Sequence, residues 1–483
     1  MRELAELALD VTRIKGAVYA DIRIIAVKGE SLIIKNGQVS HIHCSEDRGF
    51  GVRVIVDGAW GFASSDELTR NEIKRVAAQA VKIAKASALY KGRGVVLTPV
   101  VKAVTHWSTP FEIDPFTIPL GEKIDLLLSI DKALRQVKEV KIARGNMEFQ
   151  KKSQLFASTT GSFIEQESLS SAAGYAAIAI NQDDLQIRSY PSSFGGQYMT
   201  RGYELIQELA LEENASRIAE EAAALLKAPQ CPTGYKDIIL DSSQLALQIH
   251  ESCGHPAELD RVLGTEADFA GRSFLTPDKL HSFLYGSPVI NIVADSLTPG
   301  GMGTYGFDDE GVPAQRWYLV KEGLFCGYLT SRQTAPEIGL NHSQGAMRAC
   351  NWNRLPLIRM NNVSLEPDQW NLEDLIADTK DGVFMETNRS WSIDQLRYNF
   401  QFGTEIGWEI KNGKKGKMLK NPTYQGITPQ FWQACDAVCN DNYWVLWGVP
   451  NCGKGQPEQI IATSHGAAPA RFRQVMVGVG YVK

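Results

Sequence analysis

The sequence predicts an α+β protein: an N-terminal α/β unit with an antiparallel sheet and helices, followed by a β-rich C-terminal domain. Three observations predict it. The chain has 483 residues, 44% apolar and 22% charged, an ordinary globular composition in a chain too long for one core. Residues 1–90 alternate helical and strand-like periods around Asn-Gly and Asp-Gly pairs. Beyond residue 230, long helical periods give way to short apolar runs separated by Gly, Pro and Asn.

The elements follow in order. "MRELAELALDVTRIKG" (Met1 to Gly16) mixes acids and bases on a period near 3.6, so an amphipathic helix is expected and not a secretory leader. Tyr19 to Cys44 alternates like strands, with turns expected at "KGES" and at "KNGQ", the second an Asn-Gly hairpin signal. "RGFGVRVIVDGAWGFASS" (Arg48 to Ser65) adds two short strands joined at Asp57-Gly58. "SSDELTRNEIKRVAAQAVKIAKAS" (Ser64 to Ser87) opens on Ser/Asp caps and keeps a helical period. Residues 91–115 are an irregular connector, 120–140 a helix, and Val140 to Ser193 several antiparallel strands. Tyr203 to Ala228 is an amphipathic helix ending in the loop "APQCPTG". The boundary is placed there, giving an N-terminal and middle region, 1–230, and a β-rich C-terminal domain, 231–483.

Bulk properties exclude several functions. A formal net charge of -5 implies no strongly basic face, so no nucleic-acid partner is expected. The longest apolar runs, such as Ala172 to Ile180, have strand length, so no membrane span is expected. Eight cysteines scattered over a long chain do not make a disulfide scaffold. A reducing, cytoplasmic setting is expected, with thiols free for packing or metal.

The stretch "QIHESCGHPAELDR" (Gln248 to Arg261) carries the chemistry. His250 and His255 stand five apart, where zinc-protease helices place histidines four apart. On a regular α-helix a spacing of five puts side chains about 140° apart. Gly254 relaxes the backbone, and Pro256 has no N–H and would clash with the Ser252 carbonyl. Together they favour one wide, π-like turn that returns the histidines to a common side. Two neutral imidazoles so placed can hold zinc. Glu251 is too close in sequence to be a comfortable third ligand and is positioned as general base toward the water that such a metal activates. Glu258, three residues after His255, reads as the acceptor behind an imidazole N–H.

A catalytic zinc takes three protein ligands. Five candidates for the third exist. Cys253 lies within the motif and points away. "HIHC" (His41 to Cys44) aligns two histidines on one strand face, in the other domain. "CDAVC" (Cys435 to Cys439) has the spacing of a helical pair, and His342 lies in a loop. Cys452, in "NCGKGQPEQ", stands in a glycine-containing loop beside Lys454, which would favour its thiolate, and is the best of the five.

"HESCGHPAELD", "NCGKGQPEQ", "RGFGVRVIVDGAWGFASS" and "GFDDEGVPAQ", with "RMNNVSLEPD" and "FGTEIGWEIKNGK", together resemble the TldD/PmbA family of metallopeptidases, over nearly the whole chain and in order. Because the His-Glu-three-His motif and the late Cys-Gly-Lys are kept, the chain resembles the TldD-like, metal-bearing subunit. The resemblance implies His250, His255 and Cys452 as metal ligands, Glu251 as catalytic base, and one divalent ion, zinc or, as the alternative, iron. It implies hydrolysis of unfolded or extended peptides within a dimer, either a homodimer or a heterodimer with a PmbA/TldE-like partner. The chain departs from the family pattern at Ala349, where a second Arg often follows Met-Arg.

Other signals are weak. "GMGTYG" (Gly301 to Gly306) matches a dinucleotide fingerprint, but no helix follows to receive a pyrophosphate. Asp308, Asp309 and Glu310 read as an acidic turn, and Trp352, Trp391 and Trp408 as core. The sequence reading is therefore a metal-dependent peptidase, its peptide bound along a strand edge. A non-catalytic peptide-binding or assembly subunit is the alternative, and a small-molecule amidase a second one.

Overall fold

The computed structural model describes residues 1–90 and 92–478. Helices Arg2–Ile14 and Arg70–Ala88 pack side by side on one face of an antiparallel meander, Tyr19–Lys35, Gln38–Val56 and Ala59–Ser65. The Asn-Gly and Asp-Gly turns are present. Asn36 and Gly37 have φ of 50° and 75°, and Asp57 and Gly58 have 50° and 74°. Positive φ at both central positions matches the twist of the flanking strands. Gly61 is required for a different reason: a Cβ there would lie 2.2 Å from the carbonyl oxygen of Ala80 in the covering helix.

The "KGES" stretch is not a turn. Tyr19–Lys35 runs through it, with Gly29 opposite Ser45 on one side and Gln150 on the other. Partners on both edges satisfy the backbone, so the ladder overrides local turn propensity. Arg48 to Val56 likewise completes one long strand, Gln38–Val56, and is not a separate short one. The second helix is capped by Thr69, whose hydroxyl accepts from the Glu72 amide at 3.3 Å, and not by the Ser64 to Asp66 group.

Among the described residues, the meander extends into one eight-stranded sheet. Tyr19–Lys35 pairs with Val140–Ser158, which leads to Phe163–Ile180 and then to Val104–Ser108 within the expected connector. Helices Leu120–Leu134 and Leu211–Leu225 close a second core over these long strands. The helix expected over Tyr203 to Ala228 is split into Glu204–Glu208 and Leu211–Leu225, with Ala210 left-handed at φ 48° between them.

The C-terminal half is β-rich. Gly234–Leu240, Ala470–Gly478, Thr423–Ile427, Asn399–Lys411 and Asp381–Ile393 pair in a closed ring. A second sheet ends at the edge strand Val445–Lys454, paired with Gln459–Ala467. Helix Ser242–Ile249 leaves Gly234–Leu240, packs against both sheets and is buried on every side. No described helix is long and apolar enough to cross a membrane.

The two halves meet through buried charges. Arg23 reaches Asp309 at 3.2 Å, and Arg53 reaches Asp21 at 2.7 Å and Glu310 at 3.4 Å. Asp308 accepts backbone N–H groups of Glu310 and Val312 at 2.9 Å and of Met347 at 3.1 Å. The acidic triplet is a turn, as read, but a buried one. It is a buried plug for arginines of the N-terminal sheet.

Candidate metal centre

The site begins at a helix cap. Asp241 accepts from the Ser243 amide at 2.9 Å and caps helix Ser242–Ile249. After Ile249 the helix widens. His250–Gly254 is a π turn in which the His255 N–H reaches the His250 carbonyl, and Pro256 follows in a tight turn. The expected wide turn is thus present, and the imidazole centroids lie 4.8 Å apart. Gly254 has an ordinary helical φ of -68°, so conformational freedom is not its contribution. Space is: a Cβ there would lie 1.9 Å from Sδ of the fully buried Met360.

Cys452 is delivered by the edge strand Val445–Lys454 and not by a loop. A register shift between Val449 and Cys452 bends the strand and turns the thiol inward. Its Sγ lies 3.7 Å from His255 Nε2, and ligand atoms of His250, His255 and Cys452 all fall within 4.8 Å of one another. All three residues are buried.

The surrounding hydrogen bonds assign the tautomers. His465 Nδ1 lies 2.8 Å from the Val363 carbonyl, which can only accept, so Nδ1 carries the proton. Burial, then His250, holds His465 well below the usual histidine range, so its Nε2 is a bare acceptor. His250 Nδ1–H donates to that nitrogen at 2.7 Å, leaving His250 Nε2 with its lone pair inward. His255 Nδ1–H donates to Glu258 Oε2 at 3.0 Å, which aims its Nε2 inward. Glu258 is completely buried; burial pushes its carboxyl up, but Lys454 and His255 outweigh this and hold it far down.

Lys454 does not serve Cys452. Its ammonium donates to Asp260 at 2.7 Å and lies 3.4 Å from Glu258. Burial opposes the Cys452 thiolate, but His250, His255 and Arg359 overcome it and place the thiol far below its ordinary range. Burial pushes His255 down, while Cys452 and Glu258 raise it to about 9. A cation seated against Cys452 replaces that proton. Two imidazole lone pairs, each fixed by a hydrogen bond at the other ring nitrogen, and a thiolate fit a zinc-type ion.

Glu251 faces a cleft of about 410 Å³ that opens beside the two histidines and Cys452. Burial raises its carboxyl, but Arg397, His255 and His250 outweigh it, and the carboxylate contacts the Arg397 guanidinium. Phe194, Trp391 and Asn451 form part of the cleft wall. Trp391 is 40% exposed there and not in the core; it stays opposite Phe402, on the end of its strand that has no partner in Gly234–Leu240. Trp352 is half-buried over Gly49 and bonds Asp47 at 3.0 Å; Trp408 is half-buried against Glu386.

The other candidates lie elsewhere. His41 and His43 stack at 5.9 Å on an exposed strand, and His342 is an exposed loop residue. Cys435 and Cys439 are core residues, Cys435 on a strand and not a helix. Cys253 turns away, 2.8 Å from the Tyr285 hydroxyl. Gly301 and Gly303 pack against Asn362 and Asn361, with no helix after them. Sequence reasoning missed His465, Arg359 and Arg397. His465 had one signal, a histidine in the small-residue stretch "TSHGAA"; the arginines had none.

Three family descriptions match in order: "PmbA/TldA metallopeptidase domain 1" over 20–84, "PmbA/TldA metallopeptidase central domain" over 113–228, and "PmbA/TldA metallopeptidase C-terminal domain" over 233–479. A metalloprotease of Methanothermobacter thermautotrophicus is 30% identical over 95% of both chains. A zinc metalloprotease TldD homolog of Saccharolobus solfataricus is 23% identical, over 97% of this chain and 98% of its own. The crystal structure of TldE from Thermococcus kodakarensis superposes with a TM-score of 0.71 at 15% identity, over 99% of this chain and 100% of that one, and so shares the fold. On these matches the chain belongs to the TldD/PmbA family of metallopeptidases and is TldD-like.

Proposed function

We propose that the protein is a metal-dependent peptidase acting on unfolded or extended peptides, with residues 231–483 as its catalytic domain. The observation that carries the reading is the convergence of His250 Nε2, His255 Nε2 and the Cys452 thiolate beside the ionised Glu251, at the floor of an open cleft. A divalent ion held by these three residues supplies Lewis acidity toward the scissile carbonyl and water. Zinc is the favoured ion, as in the name of the Saccharolobus relative. His465 and Glu258 hold the two imidazoles in the donor tautomer. Glu251 accepts the proton of the attacking water and passes it to the leaving amine. The peptide lies along the Val445–Lys454 edge beyond Gly448, bound through its main chain. The working form is a cytoplasmic dimer, homodimeric or with a TldE-like partner.

One observation favours a second reading, a non-catalytic peptide-binding subunit: the Arg397 guanidinium sits on Glu251 and lowers its basicity. Metal analysis of the purified protein, beside Cys452→Ala, separates the two. Stoichiometric metal that the variant loses supports the peptidase. No metal, and none taken up on titration, leaves the binding subunit.

A further inference from the structure

A second cavity, of about 380 Å³, shares the edge strand with the metal cleft. Pro450 lines it, while Val449, Asn451 and Cys452 line the cleft. Its floor is one face of two paired strands of the middle region. Gln150, Lys152 and Gln154 alternate along Val140–Ser158, and Gln166 and Ser168 along Phe163–Ile180. Its roof is the segment holding Arg348.

The four charged residues lining this cavity, Lys152, Arg348, Glu148 and Asp309, balance formally but form no ion pair with one another. Among the described residues, the Lys152 ammonium makes no hydrogen bond or ion pair. Asp309 acts on it from a distance, but that carboxylate already accepts from Arg23 at 3.2 Å, from Gln154 at 2.6 Å and from the Ala349 amide at 2.7 Å. Arg348 donates to the carbonyls of Met360 and of Ala462, the latter at 3.2 Å, and its buried Nε has no partner. Glu148, at the far end, is pushed toward its neutral form by burial. What lacks a partner is positive: the Lys152 ammonium and the Arg348 Nε. Lys152 is half-buried, and partial burial pushes it down, with Asp309 opposing this from a distance.

We propose that this cavity is a carboxylate-binding subsite, in which Lys152, backed by Arg348, takes an acidic side chain or the terminal carboxylate of a peptide lying on the Val445–Lys454 edge. The inference rests on the peptidase reading for the presence of a peptide. The position follows from strand geometry. A chain paired on that edge sends alternate side chains to opposite faces, as Pro450 and its neighbours do. A carboxylate there pairs Lys152 in a partly desolvated setting, where charge-assisted bonds are strong.

The test uses full-length Glu251→Gln protein and fluorescent extended peptides of one length. They carry Glu, Gln or Lys at one position, each with a free or an amidated C-terminus. Anisotropy titration is expected to show carboxylate-bearing peptides bound about tenfold tighter than neutral ones. The Glu and free-terminus arms identify which carboxylate enters. Lys152→Met abolishes the preference while keeping the affinity for the amidated Gln peptide, and Lys152→Arg keeps the preference. Equal affinity across the series, or a preference that survives Lys152→Met, overturns the subsite and leaves peptide binding standing. Binding of no peptide at all overturns the peptidase reading and the subsite together.

Discussion

His250 Nδ1 and His465 Nε2 lie 2.7 Å apart across 215 positions of the chain, and the Val363 carbonyl fixes which nitrogen holds each proton. His465→Ala removes the acceptor that orients His250. Zinc affinity is expected to fall by about 10- to 100-fold, with the fold retained. Competition with a chelator dye measures it. An unchanged affinity with unchanged circular dichroism would show that His465 is only core packing.

Glu251→Gln keeps the size of the side chain and the three proposed ligands. Turnover of an unfolded peptide is expected to fall by about 10²- to 10⁴-fold, while metal content and peptide affinity hold. Single-turnover kinetics beside binding titration read both. Full activity in the variant would remove Glu251 from the chemistry.

Gly254→Ala places a methyl group on Met360 inside the core. The wide turn then shifts, at a cost of about 1–3 kcal/mol, and the histidines lose their common focus. A lower denaturation midpoint and weaker metal uptake are expected together. Wild-type uptake at lower stability would mean that the turn relaxes without moving its ligands.

Arg53→Met strips Asp21 and Glu310 of a buried counter-charge at once. Breaking a buried pair by removing one partner costs about 3–5 kcal/mol. Urea unfolding should show this loss, and Arg53→Met combined with Asp21→Leu and Glu310→Leu should recover part of it. A loss below about 1 kcal/mol would mean that water enters the joint and screens it.

Local rules made much of this protein legible in the sequence. Asn36-Gly37 and Asp57-Gly58 marked real turns because positive φ is a property of those residues themselves. The wide turn at His250–Gly254 was legible for a similar reason, since a five-residue spacing with Pro256 is incompatible with a regular α-helix. The "KGES" turn failed because a central strand with partners on both edges overrides local preference, and those partners include residues more than a hundred positions away.

The sequence by itself determined the α+β class, the β-rich second half and the histidine pair, since periodicity and turn chemistry act over a few residues. Only the tertiary structure decided what completes the site. Cys452 reaches the histidines because two sheets pack around one helix, and a strand irregularity turns its thiol inward. His465, Arg359 and Arg397 matter through hydrogen bonds and charges at a few ångströms, between segments whose sequence separation says nothing of their distance. The same holds for Asp309 and Glu310: a turn-like run in sequence, they became a buried joint when arginines of another sheet closed over them.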